Sequence, residues 1–180
     1  MAQFQAFAAG VQVNGETVLS VLNGMSSHRE IAQSILSKNG ITDPKPGQWY
    51  PQQAWLDAFK DIANRVGATA LLAIGKKIPE SAQWPPGTDS IEQALALIDI
   101  AYHMNHRGGE IGHYQFKSTG DRAGAMLCNN PYPCNLDRGL VDAVARKFKP
   151  TDATSVSVKH DDSQPCREKG ADACTYLIRW

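Results

Sequence analysis

The sequence predicts an α+β fold, with a helical N-terminal half packed on a small antiparallel sheet formed mainly by the C-terminal half. Two observations carry this. PQQAWLDAFKDIANRVG places Trp55, Leu56, Phe59, Ile62, Ala63 and Val66 on one helical stripe that Gly67 ends. CTYLIRW, at the other end of the chain, alternates as a half-buried strand does, with Cys174, Tyr176, Ile178 and Trp180 on one face.

The remaining elements follow in order. Val11 and Val13 alternate before Asn14-Gly15, a pair that favours a tight hairpin turn. Ser27 and Glu30 form a capping box for a helix whose apolar face is Ile31, Ile35 and Leu36, and Asn39-Gly40 stops it. ATALLAIGKKI reads as a short helix and QWPPGTD as a loop. Ser90 caps IEQALALIDIAYHM, which Gly108-Gly109 closes. IGHYQF, AGAMLC, TSVSVKH and CTYLIRW read as strands, interrupted by the helix DRGLVDAVARKF with Asp137 as its cap. No repeat or linker divides the chain, so residues 1–180 are expected to form one domain.

Apolar residues make up 42% of the chain and charged residues 20%, an ordinary globular composition. Eighteen basic residues balance eighteen acidic ones, so no net field attracts nucleic acid or an anionic membrane. No run reaches the ~18 apolar residues of a membrane span, and MAQFQAFAAGVQVNG lacks the pattern of a signal peptide. The expectation is a cytoplasmic protein. P-loop, Gly-x-Ser-x-Gly, His-Glu-x-x-His and Gly-x-Gly-x-x-Gly patterns are all missing, which removes support for hydrolase and nucleotide-binding readings.

Four cysteines stand in two loop-proximal pairs, Cys128 with Cys134 and Cys166 with Cys174. Their five and seven intervening residues exceed the usual zinc-knuckle spacing, so buried thiols, a four-cysteine structural zinc and a disulfide all remain open. His160 is in phase with Val156 and Val158 on the preceding strand. His103, His106 and His113 offer a metal or haem-iron site, against the alternative of a solvated helix end facing its own dipole. Trp55, Phe59, Trp84 and Tyr102, with His106, are candidate lining for an apolar pocket, although a stripe such as Trp55 with Phe59 is also what any buried helix shows.

In CREKGADACTYLIRW, Cys166 and Cys174 flank a glycine turn and lead into an aromatic last strand, which resembles the vinyl-reductase-like small-molecule-binding domains. Those are related in fold to haem nitric-oxide-binding domains and to TRAPP subunits. In aromatic-compound sensors of that family a structural zinc is held by an equivalent cysteine pair, an upstream cysteine and a carboxylate. The resemblance implies Cys166 and Cys174 as the pair and Cys134 or Cys128 upstream. Ser163 stands at the carboxylate position, so His160, Asp161, Asp162 or the second upstream cysteine would replace it. The Tyr-x-Ser-x-Arg motif of the haem branch is missing. The resulting expectation is a non-catalytic sensory or ligand-binding module for a small apolar molecule, aromatic or tetrapyrrole-like, signalling through self-association or a separate output protein. The alternative is a structural protein of the same fold that dimerises through the Trp55 and Phe59 face.

Overall fold

The computed structural model describes residues 3–180. Helices occupy most of the chain up to residue 104 and the larger sheet follows, which is the expected α+β arrangement. Strand β1 (Gln12–Asn14) runs directly into α1 (Gly15–Val18) and α2 (Ser20–Gly24). The hairpin expected at Asn14-Gly15 does not form. Asn14 stays extended, at φ −73° and ψ 155°, and its side chain accepts from the Thr17 backbone N–H as a helix cap. Gly15 allows a close crossing, because a Cβ there would lie 1.9 Å from the Lys45 carbonyl oxygen. β1 pairs instead with β2 (Trp49–Pro51) and β3 (His106–Arg107), in a small antiparallel sheet of order β2-β1-β3.

Helix α3 (Arg29–Lys38) is entered through a 3-10 turn at Ser26–His28 and has no side-chain cap bond. The capping box of Ser27 and Glu30 is therefore not made. The turn orders the entry with backbone alone, through the His28 N–H on the Met25 carbonyl at 2.8 Å. Ala32, Ile35 and Leu36 carry its buried face, while Ile31 is 42% exposed. Helix α4 (Gln52–Arg65) buries Trp55, Leu56, Phe59 and Ile62 as its stripe requires. Trp55 and Phe59 are internal, so that face is not available for the dimer contact expected of it.

Helix α5 (Ala68–Ser81) follows, and then α6 (Ile91–Ala96) and α7 (Ile98–Met104), separated at Leu97. Ser90 caps α6 by accepting from the Gln93 N–H. The larger sheet comprises β4 (His113–Gly120), β5 (Ala123–Asn129), β6 (Ser157–His160) and β7 (Cys174–Arg179), all antiparallel, in the order β4-β5-β7-β6. Alternation along β7 buries Cys174, Tyr176 and Ile178 and exposes Leu177 and Arg179. Helix α8 (Cys134–Lys147) packs against β6 and β7, and α5 packs on α8. Asp137 does not cap this helix. Pro133 precedes its first residue, and Asp137 lies within the helix, fully buried.

The α5–α8 crossing is close because both helices present glycine. A Cβ at Gly75 would lie 2.1 Å from the Leu136 carbonyl oxygen, and one at Gly139 would lie 2.3 Å from that of Leu72. Backbone rather than side chain occupies the space, so the helices themselves must separate to admit a methyl group. Among the described residues no helix is long and apolar enough to cross a membrane. Gly139→Ala is expected to lower stability by about 1–3 kcal/mol through overpacking, read as a fall in the urea midpoint. An unchanged midpoint would mean that the crossing is not tightly packed.

Candidate functional sites

Two arrangements inside the molecule have chemical character. The first is a small apolar cavity of about 40 Å³ between the helices and the larger sheet. Of the residues singled out from the sequence, Trp55, Trp84, Tyr102 and His106 are part of its lining, together with Asn105, Tyr114, Tyr132, Leu136 and Leu140. Phe59 stands behind Trp55, with ring centroids 4.6 Å apart, and is not part of the lining.

The polar groups of this wall are mostly tied down. The Tyr102 hydroxyl donates to the Ile111 carbonyl at 2.6 Å, and the Tyr114 hydroxyl donates to Asp137 at 2.6 Å. His106 Nδ1 lies 2.8 Å from the Tyr102 carbonyl, which places the ring proton on Nδ1. Nε2 then accepts from the Tyr132 hydroxyl at 2.6 Å, and that hydroxyl accepts from Gln52 at 3.0 Å. Burial pushes the His106 pKa down to about 4, so the imidazole is neutral at physiological pH. The Trp55 and Trp84 indole N–H groups are buried without a partner among the described residues. Asn105 secures the loop that carries Trp84, through its Oδ1 to the Gln83 N–H and its Nδ2 to the Gln83 carbonyl, at 3.1 and 3.0 Å.

The second arrangement joins three of the four predicted cysteines. Sγ to Sγ distances are 3.0 Å for Cys134–Cys174, 3.6 Å for Cys134–Cys166 and 3.7 Å for Cys166–Cys174, and all four cysteines are free. A tetrahedral zinc with bonds near 2.3 Å holds its sulfurs about 3.8 Å apart. His160 completes the group, with one ligand atom from each of the four residues within 4.8 Å of the others. Its Nδ1 lies 3.0 Å from Asp162, and its Nε2 is buried with no partner among the described residues. The Cys134 thiol donating to Cys174, helped by the Arg167 N–H at 3.3 Å, holds Cys174 well below the ordinary thiol range. Cys128 lies outside this set. It faces Cys174 across the β5–β7 register and is fully buried, and burial pushes its thiol up.

Between the two arrangements lies a buried ion pair that no local sequence pattern announced. The Arg167 guanidinium donates to Asp137 and to the carbonyl and side-chain oxygens of Asn130. Burial pushes the Asp137 carboxyl up against the pull of Arg167, Tyr114 and Asn130. The remaining histidines separate from His106: His103 and His113 lie on the surface beside Asp99.

No protein-family model matches the sequence, and no curated protein matches it. Solved structures do match in three dimensions. An H-NOX protein from S. oneidensis in the Fe(II)NO ligation state gives a TM-score of 0.63 at 15% identity, over 91% of this chain and 97% of its own. A point mutant of the T. tengcongensis H-NOX gives 0.63 at 13%, over 92% and 96%. A protein solved to examine haem redox potential under protein-induced porphyrin distortion gives 0.64 at 14%, over 93% and 99%. The chain therefore has an H-NOX-like fold, which is the fold relation that the sequence resemblance implied. At this identity the likeness speaks for architecture alone, and the chemistry must be argued from the sites.

The buried imidazole makes stability depend on pH. His106 takes up a proton near pH 6.5 when unfolded and near pH 4 when folded, so between these values the unfolded chain binds more protons. Stability then falls as pH drops from 6.5 towards 4, by about 3 kcal/mol from this group, and levels off below. Denaturation at pH 7 and pH 4.5 should show a smaller difference in His106→Gln than in the parent, and equal differences would refute the assignment.

Proposed function

We propose that this chain is a non-catalytic ligand-binding module whose C-terminal segment is held by a structural zinc. The ligand is a small, mostly apolar, planar molecule that carries a hydrogen-bond acceptor. The observation that carries this is an apolar cavity walled by five aromatic residues, two of which, Trp55 and Trp84, have buried indole N–H groups without a partner among the described residues. A buried donor left unpaired costs about 1–3 kcal/mol, and an acceptor on a ligand would relieve that cost. At about 40 Å³ the cavity has room for water rather than for an aromatic ring, since benzene occupies an apolar cavity of about 150 Å³. Binding therefore requires part of the wall to move. Trp84 is the candidate, being half-buried on a loop without regular structure.

Haem was a third, minor reading of the sequence, resting on His103, His106 or His113, and the H-NOX neighbours bring it forward. In its favour, His106 has its Nδ1 fixed by a backbone carbonyl, as a metal-ligating imidazole does. The residues present do not fit the group in this arrangement. The cavity is an order of magnitude below the roughly 300 Å³ at which cofactor pockets begin, Tyr132 holds Nε2, and the lining has no arginine or lysine for propionates.

Thermal-shift measurements with indole-like and other small heteroaromatic compounds should raise the melting temperature. A compound at a hundred times its Kd adds about 2.7 kcal/mol. Trp84→Ala should alter which compounds bind while leaving the fold intact. Titration with hemin is expected to give no Soret shift; a stoichiometric Soret band lost in His106→Ala would replace the proposed ligand class with haem.

The zinc part of the reading rests on His160. Its Nδ1 is engaged by Asp162, its buried Nε2 has no partner among the described residues, and one of its ring nitrogens lies within 4.8 Å of the three sulfurs; a ligand oriented by an outer carboxylate has this set of partners. Three thiolates and one imidazole close a tetrahedral shell, which suits a structural ion rather than a catalytic one. Metal analysis of the reduced protein should find one equivalent of zinc. Cys166→Ser should release it and destabilise the fold, whereas Cys128→Ser should retain the full equivalent. Zinc-free protein with unchanged stability in Cys166→Ser would leave the cysteines as core thiols.

A further inference from the structure

We propose that Asp99, His103 and His113 form a second, surface metal site, selective for borderline divalent transition ions such as Ni2+ or Zn2+. The site is separate from both the cavity and the cysteine cluster and does not depend on the function proposed for them. Asp99 and His103 are one turn apart on α7, and His113 opens β4 opposite them, so a helix and a strand contribute to one cluster. One ligand atom from each residue lies within 4.8 Å of the others. The two imidazoles are adjacent and tilted, with centroids 5.0 Å apart and planes inclined by 32°.

The hydrogen bonds hold the three groups together in the absence of an ion. Tyr114 donates its backbone N–H to Asp99 Oδ1 at 2.8 Å, fixing the carboxylate against β4. His103 Nδ1 lies 2.8 Å from the Asp99 backbone carbonyl, which places that ring's proton on Nδ1 and its lone pair on Nε2. His113 Nδ1 stands 3.4 and 3.5 Å from the two Asp99 carboxylate oxygens, so its proton also faces oxygen. In both rings the nitrogen that faces Asp99 is Nδ1, so the lone pair on Nε2 joins the Asp99 carboxylate on one ion only when each exposed ring turns. Both histidine side chains are 42–51% exposed, so a hydrated ion can reach them and they can turn to close on it.

Two nitrogens with one carboxylate suit nickel, copper or zinc and are a poor set for calcium or magnesium, which prefer all-oxygen shells. Three protein ligands leave coordination positions for water. The surface between the histidines is otherwise apolar, with Ile100 and Met104 exposed beside them, so no lysine or arginine of the depression's lining opposes a cation.

The test is a Ni2+ titration followed by the histidine ring resonances in NMR, which reports each site separately from the cysteine cluster. Signals of His103 and His113 should broaden together at one equivalent, while those of His28 and His106 stay. Calorimetry on His103→Ala, His113→Ala and Asp99→Asn should show affinity for that equivalent falling by roughly tenfold or more. Mg2+ at the same concentration should leave the resonances unmoved. Broadening of His28 instead, or variants that bind Ni2+ within twofold of the parent, would overturn the proposal. Both histidines are exposed and Asp99→Asn keeps an oxygen for the Tyr114 N–H, so an unchanged melting temperature separates lost ligation from lost fold.

Discussion

The buried pair of Asp137 and Arg167 is the constraint around which the C-terminal half is arranged. Both side chains are essentially inaccessible, at 0% and 1%. Removing two charges from water costs several kcal/mol each, and their attraction offsets that only when the remaining polar atoms are also satisfied. Here most are: Asp137 accepts from Tyr114 as well as Arg167, and Arg167 also donates to Asn130. Four segments must therefore meet in one geometry, namely the first turns of α8, the turn at 130–133, the strand β4 and the stretch before β7. A misplaced register in any of them would strand a charge, so the pair acts more as a selector of arrangement than as a source of net stability.

The same pair connects the two candidate sites. Tyr114 lines the cavity and bonds Asp137, while Arg167 directly follows Cys166 and gives its backbone N–H to Cys174. The segment from Asp161 to Asp172 has little regular structure beyond a 3-10 turn, so nothing in its own backbone ladder would keep Arg167 inside. A metal on Cys134, His160, Cys166 and Cys174 would tie that segment to α8 and β6 at once. The stabilisation would then reach the cavity wall through Arg167, Asp137 and Tyr114, each in direct contact with the next.

What could be read from sequence depended on how local the cause was. The stripe of α4, the Ser90 cap and the alternation of β7 are set within a few residues, and the structure has them. Asp137 looked like a cap because acidic residues favour helix starts; its actual partner lies 30 residues away, at a distance no periodicity encodes. Asn14-Gly15 satisfies the preferences of a turn and of a cap beside a close crossing equally well, and only the position of Lys45 decides. Strands β1 to β3, of two or three residues each, are too short to show alternation. The phase of His160 with Val156 and Val158 was legible, and so was its candidacy as fourth ligand. That Cys134 rather than Cys128 joins the cluster follows from tertiary placement: Cys134 begins α8, whereas Cys128 is held in the sheet opposite Cys174.

The cavity is small because aromatic rings fill the space between helix and sheet, and those rings are not equally fixed. Trp55 is gripped between Phe59 and Tyr132, at centroid distances of 4.6 and 5.3 Å. Tyr102, Tyr114 and Tyr132 are each anchored through a hydroxyl as well as by ring contacts. Moving any of them breaks a buried hydrogen bond, at a cost of about 1–3 kcal/mol for the group left unpaired. Among the five wall aromatics, Trp84 alone has neither a side-chain hydrogen bond nor a ring contact among the described residues, and its loop is held by Asn105 only at the preceding residue. Turning Trp84 outward forfeits apolar burial but no polar contact, and it frees a volume of the size of an aromatic ring. The planar ligand proposed above would restore the same apolar contacts, which makes the exchange close to balanced.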